Sequence, residues 1–552
     1  MKIRCWFLLP ALFALLAMTG CAAMPTAGEP HAFDMATPTT EPVEQLGFGP
    51  QQDAEPERII SDFLRASAAG ATDDYATARL YLAENSLSTW DPRSGVVIYP
   101  TDKEPGLSVE EISSDRAVVT LEAPVSASLA ENGVLSAHDG ALVKITFTLE
   151  RRADGQWRIQ QLDDGIILSV ANFQAGFQFA QLYFLATDEE SLIPDPRWFP
   201  RRRLASHLVT GMLAGPSEQL APAVSSALTS ALTLPTQGVE VQGQVAMVYM
   251  EGELPSSEQT QLNIARQLSA TLLQLTNVTA VEAEINSFPL PSVEDPFQDK
   301  LDLDAAVGLR GVDIMTSDGE VWEPILSVPP SHGEISAPAR NALVEPTVAW
   351  IEGQDTIAVW DGASIIQVAV PGATAPSVDR WGWVWSVAER NQVVALDSQG
   401  MSTALELPGE LKGVLRKIAV SPDGARLLLL YSRKGELYPY TATITRETSG
   451  APRRLSAVQP VGMVGGGVLD GSWAGYSHLV FLSSSGEDRV VTTAALGGFA
   501  QTLGAPADAV RISGGAQSNQ ILLSTEDGRY YSRSGGVWLS LETDVEMISY
   551  AD

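Results

Sequence analysis

The sequence predicts a multidomain protein in which two small α+β domains are followed by an all-β propeller. Two observations support this fold class. Helix-type and strand-type apolar patterns alternate over the first part of the 552-residue chain. From about residue 300 onward helix signals nearly vanish, and short apolar runs recur at intervals of about 40 residues. Strand repeats of that length are typical of propeller blades.

Residues 1–20 have the layout of an export signal. Lys2 and Arg4 precede an apolar run from Trp6 to Ala17, small residues follow, and Cys21 stands directly after them. The run is shorter than the roughly 20 residues that span a bilayer. We interpret Cys21 as the lipid-attachment site, carrying an N-acyl and an S-diacylglycerol group. The alternative is an ordinary secretory signal with a chance cysteine.

The residues before Cys21 resemble the lipobox of bacterial lipoproteins, with Met18 where leucine is usual. Cleavage there would remove Cys5, the only other cysteine, and acylation would consume Cys21. We therefore expect a mature chain with no disulfide and no cysteine available as a ligand or nucleophile. We expect it to be lipid-anchored at the extracytoplasmic face of the cell membrane.

The formal net charge is −32, which disfavours nucleic-acid binding because such a surface repels phosphates. Residues 21–56 are rich in Pro and carry Thr, Glu and Gly without apolar periodicity. This composition predicts a disordered tether between the anchor and the folded domains.

The first α+β domain is predicted over 57–175. "ERIISDFLRASAAG" and "DDYATARLYLAENSLSTWDP" each present one apolar helical face, and Gly70 separates the two predicted helices. "ALVKITFTLERRADGQWRIQQ" alternates apolar and polar residues on both sides of Asp154-Gly155. This pattern predicts a hairpin with one buried face.

The second α+β domain is predicted over 178–292. "LASHLVTGMLAGP" predicts a helix that ends at Gly215-Pro216, and "GVEVQGQVAMVYM" predicts a hairpin. A second helix is predicted to begin at a capping box from Ser256 to Gln259. A short strand through Val281 and Ile285 is expected to follow it.

The propeller is predicted over 300–552. Alignment of its apolar runs places five residues at equivalent positions: Trp350, Trp385, Val420, Trp473 and Ile512. The segment has room for five to seven blades, and we expect about six. A β-sandwich would explain the strands but not their recurring interval.

No motif for catalysis or metal binding is present in the sequence. The five histidines are scattered, and neither HExxH, GxSxG nor a P-loop occurs. We therefore expect a non-enzymatic protein without metal or cofactor.

"PRWFPRRRLASHL" concentrates positive charge in an acidic chain, with Arg197 followed by Arg201, Arg202 and Arg203. The last three stand at a predicted helix N-terminus, where cations oppose the helix dipole. They are candidate contacts with a partner's acidic surface or a lipid headgroup. The alternative is pairing with the protein's own carboxylates.

"DRWGWVWS" carries Trp381, Trp383 and Trp385, which would share one face at strand period. Two interpretations remain open. The tryptophans could pack between blades, or they could form an exposed aromatic platform for a glycan or a partner.

Five stretches, in chain order, resemble the actinobacterial LpqB lipoprotein family. "FLRASAAGATDDYATARLYLAENSLSTWDP" is similar to its N-terminal domain. "YFLATDEESLIPDPRWFP" and "LLQLTNV" are similar to its GerMN module, and "PSVDRWGWVWS" with "SPDGARLLLL" to its propeller. The resemblance implies a membrane-anchored accessory lipoprotein linked with the sensor kinase of the MtrA–MtrB two-component system, which governs cell-wall and division behaviour. It supplies no catalytic residues.

Two functional hypotheses follow. In the first, the protein is a scaffold that contacts the extracytoplasmic domain of a sensor histidine kinase. In the second, it binds a cell-envelope ligand, such as a glycan, in the central opening of the propeller.

Overall fold

The computed structural model describes residues 47–297, 301–319, 321–409, 411 and 413–552. In this part of the chain two α+β modules precede a propeller of six four-stranded blades, which confirms the predicted fold class. We call residues 47–176 the first module, 177–297 the second module and 301–552 the propeller.

The first module packs helices against two four-stranded sheets. Its helices are α1 (Pro56–Ala68), α2 (Gly70–Asp73), α3 (Ala76–Arg79), α4 (Glu84–Thr89) and α5 (Val170–Gly176). Its strands are β1 (Gly95–Tyr99), β2 (Gly106–Ser113), β3 (Arg116–Pro124), β4 (Ala127–Ala130), β5 (Leu135–Ala137), β6 (Leu142–Arg151), β7 (Trp157–Gln161) and β8 (Ile166–Ser169). The sheet orders are β5-β4-β1-β8 and β2-β3-β6-β7. The predicted hairpin is β6–β7, and α1 buries Ile59, Ile60 and Phe63 in the core.

The second helix predicted for this module is broken into short pieces. Asp74 and Tyr75 adopt left-handed backbone angles, with φ of 56° and 62°, and these angles interrupt the helix between α2 and α3. Tyr75, Ala78 and Tyr81 are nevertheless buried, as the apolar pattern required. The pattern therefore identified the buried residues correctly but not the continuity of the helix.

The second module places its helices against a three-stranded and a four-stranded sheet. Its helices are α6 (Leu204–Leu213) and α7 (Glu258–Leu272), with a 3₁₀ turn at Ala221–Ala223. Its strands are β9 (Phe177–Ala186), β10 (Leu192–Pro200), β11 (Val224–Ser225), β12 (Glu240–Gln242), β13 (Val245–Met250), β14 (Ala280–Ile285) and β15 (Phe288–Pro289). Both predicted helices, the β12–β13 hairpin and the final strand are present. The cap of α7 is Ser257, which accepts a hydrogen bond from the Thr260 backbone N–H, one residue later than predicted.

Six sheets form the propeller. In chain order its strands are β16 (Ala306–Arg310), β17 (Asp313–Ser317), β18 (Trp322–Ser327), β19 (Ile335–Arg340), β20 (Val348–Glu352), β21 (Thr356–Trp360), β22 (Ile365–Ala369), β23 (Ser377–Val378), β24 (Val384–Ala388), β25 (Gln392–Leu396), β26 (Ser402–Leu405), β27 (Val414–Val420), β28 (Arg426–Arg433), β29 (Glu436–Arg446), β30 (Pro452–Pro460), β31 (Val468–Ala474), β32 (His478–Ser485), β33 (Asp488–Ala495), β34 (Ala500–Ala505), β35 (Ala509–Gly514), β36 (Ile521–Thr525), β37 (Tyr530–Ser534), β38 (Val537–Leu541) and β39 (Glu546–Tyr550). Short 3₁₀ turns lie at Pro330–His332 and Glu389–Asn391.

The last strand closes the ring. Strand β39 pairs antiparallel with β16, so the first blade reads β39-β16-β17-β18, while the other blades use four consecutive strands each. Ala306 lies opposite Tyr550 and Val307 opposite Ser549 in this pairing. The two ends of the propeller are therefore joined by backbone hydrogen bonds.

The five residues aligned in the sequence are not equivalent in the structure. Trp350 and Trp385 lie on the second strands of their blades, β20 and β24. Val420, Trp473 and Ile512 lie on the first strands, β27, β31 and β35. Each aligned run is a hairpin of apolar strands, and adjacent hairpins within a blade have the same pattern. The spacing therefore predicted about the right number of blades. The alignment was wrong by one strand, because it matched second strands of two blades with first strands of three others.

Candidate functional site

Cys21, the predicted lipid-attachment site, lies outside the described residues, as do the signal and most of the tether. Within the described ranges, no helix combines the length and apolar character needed to cross a membrane. In the same ranges, no group of three or more His, Cys, Asp or Glu side chains is placed to hold a metal ion.

Strand β10 connects the second module to both of its neighbours. The buried Arg197 guanidinium donates 2.7 Å to Asp195 Oδ2 and 3.2 Å to the carbonyl of Asn132 in the first module. On the propeller side, Arg426 Nη2 donates 2.6 Å to the carbonyl of Pro194. Arg197 thus belongs to the module junction and not to the arginine cluster that follows it in sequence.

An aromatic cluster reinforces the same junction. The ring of Trp198 lies 5.0 Å from Phe173 of the first module and 5.6 Å from Phe499 of the propeller. Its indole N–H donates 2.8 Å to the carbonyl of Gly497. Because one half-buried side chain of the second module contacts both neighbouring modules, aromatic packing as well as the linkers holds the three modules together.

The arginine cluster stands where the sequence placed it, immediately before α6. Arg201 donates 3.0 Å to Gln178 Oε1 and 3.2 Å to the carbonyl of Gln174. Arg203 has a left-handed φ of 54°, and its Nη2 donates to the carbonyls of Thr236 and Gln237 at 2.9 and 2.8 Å. All three arginines of the cluster are exposed. These hydrogen bonds of Arg201 and Arg203 go to neutral acceptors and not to carboxylates.

A cleft of about 470 Å³ opens beside this cluster, between the first and second modules. Arg202, Arg203 and His207 line it from the α6 side, and Arg93 and Asp74 line it from the first module. Arg93 was not among the predicted contact residues, because it is distant in sequence and only the docking of the modules brings it to the cleft. Burial, followed by the charges of Arg93 and Arg203, lowers the pKa of His207.

The three tryptophans do not share one strand. Residues 379–383 form a turn, and strand β24 begins only at Val384. Trp385 is fully buried, while Trp381 and Trp383 are half-buried. The three side chains therefore do not form one exposed aromatic platform. Their burial agrees with the other interpretation, in which the tryptophans pack within the propeller.

A buried ion pair organises this turn. Both carboxylate oxygens of Asp379 are used: Oδ1 accepts from the Trp381 and Trp383 backbone N–H groups, and Oδ2 accepts from Trp385 Nε1 and Arg446 Nη2. The Arg446 guanidinium lies 4.2 Å from the centre of the Trp381 ring. The ring is also in close contact with Gly424, where a Cβ would fall 2.2 Å from a ring carbon.

The opening of the propeller holds a channel of about 380 Å³ that is lined by the innermost strands and contains charged side chains. Lys417 Nζ lies 2.7 Å from Asp470 Oδ1, and Asp470 Oδ2 accepts from the Ile512 backbone N–H. Asp552 Oδ2 accepts from the Val378 backbone N–H at 3.0 Å. Burial raises the pKa of Asp552 to about 7.

Comparison with known families gives three matches along the chain. A model described as "Lipoprotein LpqB, N-terminal domain" matches residues 49–174. One described as "Sporulation and spore germination" matches 181–290, and one described as "Lipoprotein LpqB beta-propeller domain" matches 314–547.

Individual relatives of this chain are named "Lipoprotein LpqB". "Lipoprotein LpqB" of Bifidobacterium longum is 26% identical over 444 residues, covering 76% of this chain and 75% of that protein. "Lipoprotein LpqB" of Rhodococcus opacus is 31% identical over 241 residues, covering 43% of this chain and 39% of that protein. Among solved structures, TolB from Acinetobacter baumannii is 13% identical with a TM-score of 0.35, over 58% of this chain and 99% of that one.

Proposed function

Because the chain belongs to the LpqB lipoprotein family, we propose that it is a membrane-anchored accessory lipoprotein that acts as a protein-interaction scaffold. Its partner is the extracytoplasmic domain of a sensor histidine kinase of the MtrA–MtrB type, and the readout is cell-wall and division control. In this proposal acylated Cys21 holds the protein at the outer face of the membrane. The protein acts by binding its partner and catalyses no reaction.

The observation that carries the proposal is the fixed arrangement of the three modules. Buried polar bonds from Arg197 and Arg426 and the Trp198 aromatic cluster join them, so the described chain presents one continuous surface. A preformed surface loses little conformational entropy on binding, which favours recognition of a folded partner. On this surface Arg201 and Arg202 are the candidate contacts with an acidic patch of the kinase domain.

Capture of the purified kinase domain by the full chain on beads tests this contact. We expect Arg201→Glu with Arg202→Glu to reduce capture by about tenfold or more, because charge reversal opposes an acidic partner. Capture by the wild type should also fall as salt rises. Arg203 is left unchanged because it holds the loop at Thr236 and Gln237. Arg201 also donates to Gln174 and Gln178, so the melting temperature of the double variant is measured to establish that it is folded.

The matched control changes Arg453 and Arg454 to Glu, since they are another adjacent pair of exposed arginines, on the β30 strand. An equal loss with both pairs would show only a general charge effect and would remove the assigned contact. No capture by the wild-type chain would overturn the partner itself.

The second candidate function, an envelope ligand in the propeller opening, is favoured by the Lys417–Asp470 pair inside the channel. A polar pair in a concave site can orient a glycan through its hydroxyls. Binding of a solubilised cell-wall glycan that is lost in Lys417→Met would support this function, and binding unaffected by that change would exclude the channel as the site.

A further inference from the structure

The cleft beside α6 gathers positive charge from two modules. Three guanidinium groups, those of Arg93, Arg202 and Arg203, line it with one carboxylate, Asp74. The whole chain carries a net charge of −32, so this is a local reversal of sign. A concave basic site in an acidic protein concentrates small anions while the surrounding surface repels large ones.

The guanidinium groups come from two modules and face the same space. Arg93 pairs with Asp74, and both residues line the cleft from the first module. Arg203 is held through Nη2 by two carbonyls, so its Nε and Nη1 remain outside those bonds. Both guanidinium groups line the cleft together with His207. Planar guanidinium forks arranged in this way match the oxygens of a phosphate group.

The N-terminus of helix α6 also favours an anion in the cleft. Helix α6 begins at Leu204, and its first backbone N–H groups carry the positive end of the helix dipole. Arginines at such a position are unfavourable alone but favourable around a bound anion. Apolar walls from Tyr75, Leu234 and Pro235 leave space for more than the anion alone. The volume falls within the range of small-ligand sites, which is roughly 300–1,000 Å³.

We propose that this cleft binds the phosphate group of a small phosphate ester, with Arg93 and Arg203 as its principal ligands and Arg202 at the rim. Arg93 and Arg203 together carry more charge than the one lining carboxylate, Asp74, and a phosphate monoester or diester with a polar or short apolar substituent suits both this charge and the walls. The source of the ester is either a soluble envelope metabolite or an anionic phospholipid headgroup.

Calorimetric titration of the purified full chain with glycerol 3-phosphate tests the site, with glycerol as the uncharged comparison. We expect the phosphate ester to bind and glycerol not to bind. Arg93→Gln should weaken binding by about tenfold or more, because it removes a charge-assisted contact. Arg93→Lys should weaken it less, since it retains the charge but not the fork.

Arg58→Gln is the matched control. Arg58 also lies in the first module, is also exposed and also pairs with an aspartate, Asp62, but it is outside the cleft. The melting temperature of both variants establishes that each is folded. Equal affinity of the Arg93 and Arg58 variants for glycerol 3-phosphate, or no phosphate-dependent binding by the wild type, would overturn the proposal.

The two sources are separated with detergent micelles that contain phosphatidylglycerol or, for comparison, diacylglycerol. Competition by phosphatidylglycerol that depends on Arg93 assigns the site to a lipid headgroup, and binding of the soluble ester alone assigns it to a metabolite. Arg93 is not one of the assigned kinase contacts, so its substitution tests the cleft separately from that contact. Arg93→Gln should leave capture of the kinase domain unchanged, so failure of one proposal does not imply failure of the other.

Discussion

Removal of the Asp379 carboxylate should strongly destabilise the propeller. Asp379 and Arg446 have side-chain exposures of 0% and 3%, and their atoms lie 2.7 Å apart. In Asp379→Ala the guanidinium stays buried without its carboxylate, and three tryptophan N–H groups lose their acceptor. Breaking a buried pair in this way costs about 3–5 kcal/mol.

For a domain of this size, each kcal/mol lowers the melting temperature by about 2–4 °C, so we expect a decrease of about 6–20 °C. Thermal unfolding of the full chain, followed by tryptophan fluorescence, measures it directly because Trp385 is within the network. Asp527→Ala is the control, since the Asp527–Arg529 pair is similar in distance but more than half exposed. We expect no measurable change for that exposed pair.

A double variant separates the cost of an unpaired buried charge from the cost of the lost hydrogen bonds. Asp379→Leu with Arg446→Met replaces both charges by apolar groups and should melt above Asp379→Ala, because no charge is then left buried and unpaired. It should stay below the wild type, because the tryptophan N–H groups still lack their acceptor. If Asp379→Ala melts at the same temperature as Asp527→Ala, the network contributes nothing and the reasoning is refuted.

Three further predictions concern the anchor, the ring and the channel. Cys21→Ala should leave uncleaved precursor or release the protein to the medium in fractionation; mature, membrane-bound mutant protein would contradict the lipobox. Residues 300–552 expressed alone should unfold cooperatively in calorimetry, because β39 closes the ring onto β16; an aggregating fragment would show that upstream strands complete it. Since burial raises the pKa of Asp552 to about 7, the folded protein retains a proton that the unfolded chain releases above about pH 4. Its stability should therefore fall between about pH 4 and 7, and Asp552→Asn should reduce that slope; an unchanged slope would contradict it.

Sequence periodicity was sufficient for the fold class because it reports which residues are buried. It did not give strand register, since Trp350 and Val420 belong to hairpins with the same apolar pattern at different places in their blades. Sequence periodicity also did not predict where left-handed backbone angles interrupt a helix. The left-handed Asp74 and Tyr75 interrupt a helix whose apolar face is intact, and neither residue is a glycine that would signal such a turn.

The candidate site was predictable only in the part that is contiguous in the chain. Arg201, Arg202 and Arg203 stand out as a run of like charge, and their position at the start of α6 follows from local signals. Arg93 gives no signal of its own, because it is a single arginine in a loop of another module. Its role depends on how two modules dock, which no local pattern encodes.

The module junction and the basic cleft are adjacent along the chain, at strand β10 and the arginine run that follows it. Strand β10 contacts the first module through Arg197 and the propeller through Pro194 and Trp198, and it leads directly into the arginine run. A ligand that draws Arg93 and Arg203 together would therefore act on the same strand that sets the positions of the modules. The arginines oppose the helix dipole when the cleft is empty, and a bound phosphate would remove that repulsion. Binding in the cleft is thus expected to tighten the junction, and the surface offered to a partner kinase would become more rigid when the cleft is occupied.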